Sequence, residues 1–268
     1  MNLHRSLISI FLFFICFSSS SSAQIPIPAA ELDEVVIIGA NADRWRFSKE
    51  GQEEHYKNYS PNIIPDYFVL GTLHFFILRE GNLINLFNPY EKPLVDFLRK
   101  YIQEKFNFRL QVGIERREYV MYSSELTEKI RTYYDKKGIL NDSIFKSDEE
   151  ICSYLLGVYY RYGYKVNDSI YKIELRSSYD KLVYTLLKKI NNCNKIFHIN
   201  SRCYGGKDTF YFEPSVLLKK YFDTIESEKT KLDKSYIDFE WTRYGRKDDI
   251  IHNREKERET IESLINFL

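Results

Sequence analysis

Glycine and proline are scarce in this chain, at 11 and 7 among 268 residues. That excludes collagen-like, linker-rich and low-complexity architectures. With 22 tyrosines and 19 phenylalanines, the composition is that of a packed globular protein rather than a disordered one. Charge of one sign is missing as well. Lys and Arg number 39 against 38 Asp and Glu, which gives no electrostatic reason to expect nucleic acid or an acidic membrane as a partner. There is no HExxH and no CxxC pair, and His4, His55, His74, His198 and His252 lie far apart in sequence, so neither a metal nor a cofactor is expected. A GxSxG elbow and a P-loop are also absent. In VVIIGANAD (residues 35–43) Gly39 stands alone, so the dinucleotide fingerprint fails at its second and third glycines.

Long apolar runs are confined to the start. Arg5 precedes an apolar run over residues 7–17, a serine tract follows, and Ser21 and Ala23 put small residues at the −3 and −1 positions of a signal-peptidase site. Such a run is too short for a hydrocarbon core that needs about 20 residues. The expectation is a signal peptide over residues 1–23 and an exported chain, in the periplasm, at the outer surface or secreted, with no transmembrane span in the mature part. Residues 24–62 then read as an extended leader, first strand and linker. Residues 63–268 read as an α+β globular region, one domain or two small ones.

Inside that region two periodicities alternate. Residues 66–78, DYFVLGTLHFFIL, are almost wholly apolar and read as a buried strand of a hairpin, with a helix as the alternative. His74 is then a core or sheet-face histidine. Pro93 opens a helix carrying Leu94, Phe97, Leu98, Tyr101 and Ile102. Residues 108–114 and 118–122 alternate like paired strands. Ser124 caps a helix, and Ser147 with Glu150 forms a capping box ahead of another that Gly163 stops. Two more hairpins follow, around Asn167-Asp168 and around the loop NSRCYGGK, then a helix from Pro214 and a final strand in SYIDFEW. Hairpins with packed amphipathic helices indicate an α+β fold with a mixed, mainly antiparallel sheet or sheets. Asn141-Asp142-Ser143-Ile144-Phe145-Lys146 nearly recurs as Asn167-Asp168-Ser169-Ile170-Tyr171-Lys172. We read that as reused turn chemistry, because Asn and Asp favour turns.

Past the signal there are three cysteines. Cys152 sits on the apolar side of a helix as a small hydrophobe. Cys193 and Cys203 flank a strand and turn and are the pair that can bridge. If they do not, Cys203 is a thiol five residues from His198, and that pair is the one candidate for nucleophilic catalysis.

Residues Glu31 to Gly39, ELDEVVIIG, resemble the segment carrying the TonB box at the start of many Bacteroidetes TonB-dependent outer-membrane receptors. The resemblance implies a docking peptide in which Leu32, Asp33, Glu34, Val35, Val36, Ile37 and Ile38 contact a TonB-like protein by strand addition. The same residues also suit a built-in edge strand. The rest of the chain departs from that family, since the long series of barrel strands is missing. The expected function is therefore that of an exported, non-enzymatic, partner-binding protein with no nucleic-acid partner. The alternatives are a secreted Cys/His hydrolase and a periplasmic immunity or inhibitor protein.

Overall fold

The computed structural model describes residues 36–37, 66–74, 83–106, 110–115, 117–135, 140–176, 180–191, 196–200 and 207–267. The fold is α+β, as expected, with two separate four-stranded sheets.

Helix α1 (Tyr67–Thr72) occupies the run that reads as a strand. The Asp66 carboxylate accepts from the Val69 N–H at 2.8 Å and starts it. A segment apolar on every side suits a helix buried all round as well as a buried strand, and here Phe68, Val69, Leu70 and Thr72 are all buried. Strand β2 (Leu83–Phe87), a 3-10 turn (Pro89–Glu91) and helix α2 (Lys92–Phe106) follow. The hairpin of β3 (Gln111–Glu115) and β4 (Glu118–Tyr122) leads to helix α3 (Ser124–Arg131), whose cap is Ser123 rather than Ser124.

The second half opens with helix α4 (Asp148–Tyr162), held by the Ser147/Glu150 capping box. Strands β5 (Gly163–Lys165) and β6 (Tyr171–Arg176), helix α5 (Asp180–Asn191), strands β7 (Ile196–Asn200) and β8 (Lys207–Phe212), and helix α6 (Val216–Asp223) complete it. With β1 and β5 set aside, the order helix, strand, helix, strand, strand, helix recurs in both halves. So does the pairing: β2–β4–β3 in the first sheet matches β6–β8–β7 in the second, antiparallel throughout. The two NDSI segments make the same local bond, with Asn141 Oδ1 accepting from the Ser143 N–H and Asn167 Oδ1 from the Ser169 N–H, each at 3.0 Å.

Strand β1 (Val36–Ile37) adds to the edge of β3 in parallel, Val36 opposite Gly113 and Ile37 opposite Ile114. The backbone that a docking peptide would offer is thus taken at these two residues. Leu32, Asp33, Glu34, Val35 and Ile38 lie outside the described residues.

The expected final strand in SYIDFEW is instead part of helix α7 (Glu226–Tyr244). Its β-propensity yields to tertiary packing: Leu232 enters the core, and Tyr236 and Phe239 meet Tyr90 at 5.1 and 5.6 Å between ring centroids. Gly245, at φ +65°, ends α7 in the left-handed conformation glycine adopts freely. Helix α8 (Lys247–Phe267) then lies against the second sheet. Near its end, Ile261 is buried while Leu264 is 46 % exposed. One large core joins both halves through α1 and α4.

Candidate nucleic-acid interface

The two halves meet where α1 crosses α4, and the contact is backbone on backbone. A Cβ at Gly71 would lie 2.0 Å from the Tyr154 carbonyl oxygen and 2.9 Å from the Val158 nitrogen. At Gly157 it would lie 2.1 Å from the Phe68 oxygen and 2.8 Å from the Thr72 nitrogen. The pattern is reciprocal: each glycine faces the carbonyl three residues before the other and the amide one residue after it. That is the signature of a two-fold axis through the crossing. No other residue lets two helices approach so closely.

The helix ends beside the crossing are filled by interactions across the halves. His74 is buried and shares a 2.5 Å hydrogen bond with the Tyr154 hydroxyl. Burial holds that phenol well above its ordinary pKa. Arg161, near the end of α4, donates from Nε to Glu91 Oε1 at 2.6 Å, from Nη1 to the Thr72 carbonyl at 3.1 Å and from Nη2 to the Leu86 carbonyl at 2.8 Å. It also lies 4.4 Å over the Phe87 ring. One guanidinium therefore caps α1, ties β2 to α4 and pairs with a buried carboxylate. Burial works against its charge, but the adjacent Glu91 outweighs that and raises its pKa.

A second polar cluster lies on the face of the second sheet turned away from the core. Strand alternation points Tyr171, Ile173, Phe210 and Phe212 inward and leaves Tyr164, Lys172, Lys207 and Tyr211 on the other side. Lys172 Nζ lies 5.2 Å from the Tyr164 ring centroid and 5.7 Å from that of Tyr211. It pairs with Glu174 Oε2 at 3.1 Å and with Glu257 Oε1 of α8 at 2.8 Å. The hydroxyls of Tyr164 and Tyr211 donate to the same Glu257 carboxylate. Burial pushes the Glu257 carboxyl up to about 7 and depresses the Lys172 ammonium. On the first sheet the β3–β4 turn holds Arg117, exposed and at φ 74°, a left-handed turn geometry that suits a tight hairpin.

The candidates from sequence are differently placed. His198 stacks on Phe210 at 4.7 Å and bonds through Nε2 to Asp208 Oδ1 at 2.9 Å. Cys193 and Cys203 lie outside the described residues. Cys152 is buried, and its thiol is pushed up to about 12 by burial. The crossing glycines went unnoticed in the sequence, although a signal for them exists: Phe68-Val69-Leu70-Gly71-Thr72 and Tyr154-Leu155-Leu156-Gly157-Val158 are the same pattern twice.

No family model matches the chain. No curated protein matches it either. Among solved structures, I-DmoI in complex with DNA and Ca is 12% identical, with 60% of this chain and 88% of that one covered at a TM-score of 0.37. Mesophilic variants of the homing endonuclease I-DmoI are 14% identical over 60% and 96% at 0.38. The N-terminal LAGLIDADG domain of WhiA is 14% identical over 70% and 95% at 0.36. By this comparison the chain is similar to LAGLIDADG domains. At these values the likeness concerns the fold and carries nothing about activity.

None of these names describes an exported binding protein, and several describe DNA complexes. The expectation of a non-enzymatic, exported, partner-binding protein is corrected accordingly, together with its hydrolase and inhibitor alternatives, its TonB-like partner and its periplasmic, surface or secreted location. The expected exclusion of nucleic acid is corrected too: a whole-chain charge balance does not report where individual cations sit. Among the described residues no helix is long and apolar enough to cross a membrane.

The donors beside the helix crossing do not fit a divalent cation. The described helix ends present the Arg161 cation, the His74–Tyr154 pair and phenols that burial keeps protonated, while Glu91 is already engaged by Arg161. No described group of three His, Cys, Asp or Glu could hold a metal ion.

Proposed function

We propose that this chain binds duplex nucleic acid, one sheet of each half meeting the duplex about the internal two-fold, and that it does so without metal-dependent strand cleavage. The reciprocal crossing at Gly71 and Gly157 carries this reading. The two strands of a duplex are themselves related by two-fold axes, so a protein whose halves share one addresses both backbones in the same way. Antiparallel ribbons are also of the width a major groove admits.

Corresponding strands bring cations to such a contact: Arg117 immediately precedes β4 and Lys207 opens β8. With a chain charge of only +1, long-range attraction is weak, and affinity rests on these local groups. Arg161 and the buried phenols at the helix ends support binding over cleavage, because a cation there repels a second one.

The test is titration of a labelled DNA duplex with the full chain at low salt, with Mg or Mn added in parallel. Binding in the micromolar range, as for non-specific complexes, with the duplex left intact, is the expected result. No binding at 50 mM salt refutes the reading, and metal-dependent strand scission refutes its second half.

A further inference from the structure

The Glu257 cluster has the makings of an anion site whose occupant belongs to the protein itself. Three donors from three strands converge on one carboxylate: the Tyr164 hydroxyl of β5, the Lys172 ammonium of β6 and the Tyr211 hydroxyl of β8. A phosphate oxygen has the same needs as that carboxylate, two neutral donors and a cation. We propose that the Tyr164–Lys172–Tyr211 cluster is a phosphate-binding site for a nucleic-acid backbone, held closed in this structure by helix α8, whose Glu257 stands in for the phosphate. The inference rests on the duplex-binding reading and adds how that surface is regulated.

The way α8 is attached supports a displaceable strap. Among its described side chains the one buried apolar anchor is Ile261, set against Val166, Ile170 and Tyr211. The other ties to the sheet among its described side chains are polar: Glu257, Arg254 at 4.7 Å over the Tyr164 ring, and Glu262 Oε1 accepting from Asn167 Nδ2 at 2.8 Å. Ile251 and Leu264 stay exposed. In sequence α8 carries six acidic residues against four Lys and Arg, so the strap is net acidic, as a competitor for a phosphate site should be. The link before it is Gly245-Arg246, and no atom lies within 4 Å of where a Cβ on Gly245 would sit.

The experiment compares duplex affinity of the full chain, Glu257→Ala, Glu259→Ala and a chain ending at Gly245. Glu259 is an exposed residue of the same helix, so its variant makes the same charge change without touching the cluster. Glu257→Ala and the shortened chain should bind about tenfold more tightly, a usual size for coupling between two sites, while Glu259→Ala stays within about twofold of the parent. Adding Lys172→Ala to Glu257→Ala should remove the gain. Millimolar inorganic phosphate that competes as well as duplex would show that the cluster takes any phosphate and would overturn its assignment to a backbone. Equal affinity in all four chains overturns the strap and leaves duplex binding standing. No binding by any of them overturns the duplex reading, and the strap with it.

Discussion

Replacing Gly157 by alanine sets two known effects against each other. Alanine is the better helix former by about 1 kcal/mol, so in an exposed helix the change would stabilise. At this crossing the new methyl would meet the Phe68 oxygen at 2.1 Å and the Thr72 nitrogen at 2.8 Å. Both obstacles are backbone, so no side chain can swing aside. The helices must part by more than about 1 Å to reach van der Waals separation. Overpacking of a core costs about 1–3 kcal/mol, and two rigid helices belong at the upper end. The net loss is then about 2 kcal/mol, a fall in Tm of about 4–8 °C for a chain of this size. Gly71→Ala should behave alike because the contact is reciprocal. Once one methyl has separated the helices the second costs less, so the double variant should fall short of the sum of the singles. Calorimetric or circular-dichroism melts of the three variants decide it. A Tm at or above the parent's for Gly157→Ala, the outcome if helix propensity won, would refute the close crossing and the two-fold built on it.

Two further perturbations test the interactions around the crossing and under α8. Arg161→Met strands Glu91 in the core and removes donors from the Thr72 and Leu86 carbonyls; urea unfolding should show a loss of about 3–5 kcal/mol, with part recovered when Glu91→Gln is added. For α8 the sign follows from Glu257, which faces Tyr164, Lys172 and Tyr211 from the sheet, with Arg254 on its own helix and Glu174 and Lys207 beyond Lys172. Its carboxyl titrates near 7 when docked against an ordinary 4.5, so docking takes up a proton. Attachment should be firmest below the ordinary carboxylate range, weaken as pH rises towards about 7 and level off above it, by no more than about 3 kcal/mol. Amide exchange over residues 247–267, corrected for intrinsic rates, should lose protection across that window; protection that grows with pH would contradict it.

How much of this was legible in the sequence depended on whether the signal was local. The capping box at Ser147 and Glu150, the pairing of residues 118–122 and the start of α2 near Pro93 are set by neighbours in the chain, and the structure has all three. Helix α1 was misread because continuous apolar character is common to a buried strand and a helix buried all round. SYIDFEW was misread because its aromatic content favours a strand until Tyr90 and the core are there to pack against it. The interface was harder still. Glycine within an apolar helix signals close approach, but only comparison of residues 68–72 with residues 154–158 shows that there are two such glycines meant for each other. Lys172, Tyr164, Tyr211 and Glu257 come from four elements and form no motif. The charge balance pointed away from nucleic acid because summing over the chain erases position.

The central claim, that two halves related by one axis share a duplex, is tested most directly by repeating the duplex titration across a salt series. Each phosphate neutralised contributes about −0.9 to the slope of log affinity against log salt. One contact from each half therefore predicts a slope of about −1.8 or steeper. A slope near zero, or affinity absent at every salt concentration, would contradict the account.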